Sequence, residues 1–167
     1  NYVFLGIVSI LVLVSSVKVF SRNLDWKNLV TILERDLEIA PKSVKLNMLL
    51  ANDLFESATV KNLKEKEKDS LFERSAFYYN QALSTYPKHT PAHNNLGVLY
   101  NMTGDYQKSQ EHFLKASQDE NPTAQTFFNL GLSYQANGDK AKAVENLKKS
   151  IELNNKNFEP YFNLMSI

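Results

Sequence analysis

Three asparagines, Asn95, Asn129 and Asn163, stand 34 residues apart in this chain. A primary amide carries both donors and an acceptor. A row of amides therefore matches the C=O and N–H groups of an extended peptide without demanding particular side chains. The residues that share their neighbourhood are Asn94, Val98, Asn101, Met102, Gln125, Phe128, Leu132 and Gln135. They are amides and apolar groups, with Lys45 the one cation nearby, so the set lacks the Lys and Arg side chains that would hold a carboxylate. The row breaks at Leu49, which takes the corresponding place one unit earlier. Other chemistry is thinly represented. The sequence has no phosphate-cradling glycine loop and no nucleophile elbow, its acids are scattered, and no catalytic residue or cofactor is implied. Pro91 separates His89 from His93 and keeps them off a shared helix face, and with His112 as the third histidine no metal site is predicted. There is no cysteine, and a net charge of +1 supplies no field for nucleic acid.

Amides serve as a row only if regular elements hold them on one surface. The same 34-residue period supplies those elements. Asn95-Leu96-Gly97-Val98-Leu99-Tyr100 lies in register with Asn129-Leu130-Gly131-Leu132-Ser133-Tyr134, and Gly104-Asp105 with Gly138-Asp139. Lys108, Glu111 and Lys115 then fall on Lys142, Glu145 and Lys149. A period of this size marks a solenoid of stacked helix pairs. Pro91 suits a first helical turn, the Gly-Asp pairs turn the chain and cap the second helix, and Gly97 and Gly131 sit mid-helix. A mid-helix glycine costs about 1 kcal/mol relative to alanine, so its repetition implies close contact between helices.

The pattern resembles the tetratricopeptide repeat. Its places read His93, Leu96, Gly97, Tyr100, Gly104-Asp105, Ser109, Phe113 and Ala116, then Phe127, Leu130, Gly131, Tyr134, Gly138-Asp139, Ala143, Leu147 and Ser150. The expected fold is an all-α solenoid of antiparallel helix pairs whose first helices line a concave groove. The asparagine row is similar to the ladder in the repeat domain of O-GlcNAc transferase, which grips a peptide backbone. That resemblance implies a protein or peptide partner in the groove. Asn101-Met102-Thr103 also spells a glycosylation sequon, but its place late in a helix makes it a chance match.

The repeats are expected over residues 44–167, as 44–89, 90–123, 124–157 and a partial unit at 158–167. The first is longer. Ala51 to Ala82 spans 31 residues where Gly97 to Ala116 spans 19, and the extra 12 lie around 59–70, in a loop or helix extension of mixed charge. Helices are expected at 43–57 and 71–86.

Before the repeats, residues 2–17 carry no charge, and residues 1–20 read as the end of a transmembrane helix with Tyr2 and Lys18 at its borders. The chain begins inside that run and ends inside a predicted helix, which reads as part of a longer protein. A junction and capping helix follow at 21–43, with Trp26, Leu29, Val30, Leu33 and Leu37 at helical spacing, Asp25 as N-cap and Pro41 as the stop. Lys18, Arg22 and Lys27 favour a cytoplasmic side for the residues after the span. The junction, with Arg22, Asp25, Trp26 and Lys27, resembles that of the transmembrane and tetratricopeptide-repeat-containing proteins of the O-mannosyltransferase-like class and their bacterial relatives. This resemblance implies extracytoplasmic repeats that recruit substrates for a glycosyltransferase region lying before this chain. The alternative is a single-span, non-enzymatic scaffold that assembles a membrane complex.

Overall fold

A computed structural model describes residues 29–60 and 62–167. Among these residues there are eight helices and no strand: α1 Leu29–Ile39, α2 Val44–Val60, α3 Glu65–Thr85, α4 Thr90–Met102, α5 Tyr106–Ser117, α6 Ala124–Ala136, α7 Lys140–Leu153 and α8 Glu159–Met165. They pack in chain order as hairpins, α2 on α3, α4 on α5 and α6 on α7, with α1 before and α8 after. The expected transmembrane helix at 1–20 and the junction residues Arg22, Asp25, Trp26 and Lys27 lie outside the described residues. No described helix is long and apolar enough to cross a membrane.

The turns obey local chemistry. Gly104 and Gly138 adopt φ of +82° and +85°, where a side chain would be strained. Directly after them, the Asp105 carboxylate accepts from the Lys108 N–H (3.2 Å) and Asp139 from the Lys142 N–H (3.1 Å), satisfying orphan donors at the starts of α5 and α7. Pro91 stands in the first turn of α4. The cap of that helix is not one the sequence suggests: it is the His89 ring, whose Nδ1 accepts from the Ala92 N–H at 3.2 Å.

The core is serial. Leu33 and Leu37 of α1 meet Leu50 and Leu54 of α2. Ala51, Tyr79, Leu96 and Leu99 join α2, α3 and α4. Phe113, Leu130, Tyr134 and Ala143 join α5, α6 and α7. Each cluster bridges consecutive helices only, so stability is assembled neighbour by neighbour. At the first junction Asn47 donates to the carbonyls of Pro41 and Ser43 (2.9 Å each), and Glu34 pairs with Arg74 of α3 at 2.6 Å.

In the first hairpin the insertion takes the helix-extension form, and the helix bounds differ from those expected at 43–57 and 71–86. Its extra residues lengthen both helices: α2 runs on to Val60, and α3 starts at Glu65 in place of 71. The run of Glu and Lys consists of good helix formers. Glu65 and Glu67 sit in the first turn, where a helix favours acids, and the Glu67 carboxylate accepts from the Lys64 N–H at 3.2 Å.

The two mid-helix glycines have a spatial reason. A Cβ on Gly97 would lie 2.6 Å from the Phe113 ring, and one on Gly131 would lie 2.9 Å from Leu147. Both partners are fully buried. Gly97→Ala is expected to lower stability by about 1–3 kcal/mol through overpacking, less the ~1 kcal/mol gain in helix propensity. Thermal or urea unfolding of Gly97→Ala, and of Gly97→Ala with Phe113→Leu, checks this: the second change should recover part of the loss.

Candidate peptide-binding face

The first helices α2, α4, α6 and α8 stand side by side, and polar side chains stitch them. Asn95 of α4 donates to Asn52 of α2 at 3.0 Å. Thr126 of α6 donates to the Asn94 carbonyl oxygen of α4 at 3.1 Å. Gln135 of α6 donates to Ser166, just after α8, at 3.3 Å.

The centre of this face is a three-residue network. The Tyr79 hydroxyl donates to Asn52 Oδ1 at 2.6 Å, and Asn95 Nδ2 donates both to that oxygen (3.0 Å) and to Tyr79 Oη (3.2 Å). Tyr79 is itself almost wholly buried, and burial pushes its phenol up to about 12, so it stays a neutral donor. The network therefore orients both amides. Asn52 Oδ1 and the Asn95 amide nitrogen are engaged inside. Asn52 Nδ2 and Asn95 Oδ1 take no partner among the described residues, one a donor and the other an acceptor. Asn52 is absent from the set that the sequence supplies. It lies three residues beyond Leu49, one turn along α2, and its recruitment depends on Tyr79 from another helix.

The three asparagines of the row are not equivalent. Asn95 is held as above. Asn129 accepts from Gln125 Nε2 at 2.9 Å through Oδ1, which leaves its N–H groups as the amide's remaining donors. Asn163 turns Nδ2 onto the Glu159 carbonyl of its own helix at 2.9 Å, which leaves Oδ1. Val98, Leu132 and Gln135 are half-buried, Met102 and Gln125 are exposed, and Asn101 is half-buried with Oδ1 sealed from solvent. Phe128 is only 7% exposed and presents little ring to a ligand. Asn94 spends its oxygen on Thr126, so it joins helices more than it offers a contact.

Such a face, built from successive hairpin helices, is that of a helical-repeat solenoid. Residues 89–156, which hold α4 to α7, match the tetratricopeptide-repeat family model, and the described chain as a whole has that all-helical solenoid fold. Among the solved structures that share it are three of differing source. A thermophilic tetratricopeptide-repeat protein from Thermus thermophilus is 17% identical with a TM-score of 0.68, covering 82% of this chain and 70% of that one. YrrB, described as a tetratricopeptide-repeat protein with an unusual peptide-binding site, is 20% identical with a TM-score of 0.63, covering 79% and 62%. The Pseudomonas aeruginosa PilF protein is 24% identical with a TM-score of 0.67, covering 90% and 63%. At such identities the likeness is one of fold. The chain spans less than two thirds of the length of the last two. No curated protein matches it significantly in sequence.

The histidines do structural work behind this face. His93 is 6% exposed and lies between two partners: Nε2 is 2.9 Å from the Pro87 carbonyl, and Nδ1 is 3.0 Å from His112 Nδ1. The carbonyl can only accept, so Nε2 of His93 carries the proton and its Nδ1 accepts from His112. Tyr100 stacks on His112 with centroids 5.6 Å apart. Among the described residues no group of three or more His, Cys, Asp or Glu is placed to hold a metal ion. Burial, then His93 and Lys115, lower His112 to about 4, and burial first of all lowers His93.

These lowered values make stability depend on pH. Above about pH 6.5, the ordinary histidine value, both rings are neutral folded or unfolded and the pair contributes fully. As pH falls below that, the unfolded chain takes protons first, and stability is lost until pH passes through about 4, where the folded His112 protonates too. His112→Gln should lower the melting temperature at pH 7 and flatten its decline between pH 6.5 and 4. Melting curves of both proteins across that range check it, and parallel slopes would contradict the assignment.

Proposed function

We propose that the face of α2, α4, α6 and α8 captures an extended, uncharged peptide segment of a protein partner. The observation that carries this reading is the Asn52–Tyr79–Asn95 network. It engages Asn52 Oδ1 and Asn95 Nδ2 and leaves the Asn52 N–H donors and the Asn95 C=O acceptor for the carbonyl and N–H of a peptide unit. Val98 and Leu132 add apolar contact nearby. Lys45, exposed in the first turn of α2, is the one Lys or Arg on these four helices, so a terminal carboxylate lacks the cluster of cations that would clamp it. A peptide-binding site is ascribed to YrrB, a solenoid of this fold, which supports a peptide as the class of ligand.

The finer reading is that this module belongs to an integral membrane protein. Its span at 1–20 would place the repeats outside the cytoplasm, where they recruit segments for an O-mannosyltransferase-like region lying before this chain. The support is the uncharged run at 2–17 and the junction Arg22, Asp25, Trp26 and Lys27. The alternative is a single-span scaffold, which rests on the same apolar run and on the lack of catalytic groups in the sequence. Protease treatment of sealed vesicles carrying the chain separates the two sides: protected repeats are expected on the lumenal reading, and digestion in intact vesicles of cytoplasm-out orientation would reject it.

For capture itself, the probe is an array of uncharged Val-, Leu- and Thr-rich peptides of about a dozen residues, with acid-tailed versions alongside. Asn52→Ala or Asn95→Ala should weaken binding of the neutral peptides about 2- to 12-fold, the worth of one hydrogen bond at about 0.5–1.5 kcal/mol. Tyr79→Phe should weaken it similarly by releasing both amides. Unchanged affinity in the Asn52→Ala/Asn95→Ala double variant, or preference for acid-tailed peptides, would sink the proposal.

A further inference from the structure

Three places, each a step of three residues from the next, recur on the first helix of each hairpin, and the first hairpin reverses their chemistry. In α4 they are Asn95, Val98 and Asn101, and in α6 Asn129, Leu132 and Gln135: amide, apolar, amide. Setting Ala51 on Gly97 puts Leu49, Asn52 and Phe55 of α2 at the same places: apolar, amide, apolar. The first helices also stack with a shift. Asn52 bonds to Asn95, three places earlier in the repeat, and Gln135 bonds to Ser166, again three places earlier. Asn94 meets Thr126 with a shift of two in the same sense. Between the parallel helices α2 and α4, reversal and shift cancel, so like meets like. Asn52 meets Asn95, and one step along both helices, about 4.5 Å on, Phe55 comes level with Val98. Between α4 and α6 the shift sets Val98 level with Asn129, so the rows there are mixed.

We propose that Phe55 and Val98 seat a large aliphatic or aromatic side chain of the captured peptide, and that Phe55 sets this preference. The inference rests on the peptide-capture reading and deepens it. An extended chain that offers its N–H and C=O to Asn95 and Asn52 sends successive side chains to opposite sides of that row. On one side stand Phe55 and Val98; on the other stands Leu49, 44% exposed. Phe55 and Val98 are both half-buried, so each keeps surface that a ligand can cover. Neither is loose. The Phe55 ring lies 5.9 Å from that of Phe72 and packs on the cluster of Ala51, Tyr79, Leu96 and Leu99, while Val98 packs on the cluster that holds Phe113 and Leu130. A seat already ordered loses little entropy when it is filled. The adjoining amides decide the class of occupant. A lipid tail or small hydrocarbon on the apolar row would strip water from Asn52 Nδ2 and Asn95 Oδ1 and give them no partner, a cost that a peptide backbone avoids. The later hairpins carry Asn101 and Gln135 where Phe55 stands, so the seat belongs to this one junction.

The probes are end-capped, uncharged peptides of serine and threonine, about a dozen residues long, with one central leucine, phenylalanine or alanine. They are titrated by fluorescence anisotropy against the full chain in detergent. The leucine and phenylalanine forms should bind about tenfold more tightly than the alanine form, because a buried methylene is worth about fourfold and the seat is partly open. Phe55→Asn puts the amide of the later hairpins in its place and should bring that ratio to about one. Val98→Thr keeps the side-chain volume and the fold, and should lower the ratio about threefold, which tests the seat even where Phe55→Asn weakens α2. A ratio near one in the unaltered chain, or one that survives both changes, would overturn the proposal while binding that depends on Asn52 and Asn95 leaves capture standing. Failure of all three peptides to bind, or binding indifferent to the Asn52→Ala/Asn95→Ala change, would overturn the capture reading and this inference with it.

Discussion

The solenoid depends on one contact repeated along its length: a residue with little or no side chain in the first helix, under a large ring or branched chain from the second. Gly97 beneath Phe113 and Gly131 beneath Leu147 are its clearest forms, and Ala51 with Tyr79 is the variant in the first hairpin. The glycines weaken their own helices by about 1 kcal/mol each. What they permit is a close approach that buries Phe113 and Leu147 completely. Once that spacing is set, the remaining hairpin geometry has little freedom. Ser75 and Ser150 reach the backbone carbonyls of Ala51 and Ala124 at 2.8 Å, and the left-handed glycines reverse the chain between the helices.

The amide-lined face is a consequence of that spacing. Tyr79 belongs to a second helix, yet its hydroxyl reaches through the first layer to Asn52 and Asn95. The ring fills the core while the oxygen orders two amides on the surface, so one side chain serves both packing and surface order. An exposed asparagine would turn freely in water and lose entropy on binding. Here the amides are already oriented, which makes each outward group a prepared donor or acceptor. The His93–His112 pair ties α4 to α5 and to the turn at Pro87.

Much of the molecule is legible as sequence. The period, the Gly-Asp turns, Pro91 and the inward residues all report short-range geometry, because each is a requirement of the local backbone or of a helix face. The helical insertion is less so: a run such as Lys64 to Asp69 is compatible with loop or helix, and it becomes helix because α2 and α3 already lie together and extend one another. The low exposure of Phe128 is hidden from the sequence for a related reason. Its position on the helix faces outward in one dimension, but neighbouring elements cover it in three.

The sequence alone determined that this is a stack of paired helices with asparagines at one recurring place, since periodicity is a property of order along the chain. Tertiary structure alone decided which amides are oriented and in which sense. Asn52 and Tyr79 are 27 residues apart, and Asn52 and Asn95 are 43 apart. Their hydrogen bonds exist only because three helices converge, and a spacing rule within one repeat cannot encode a contact made between two.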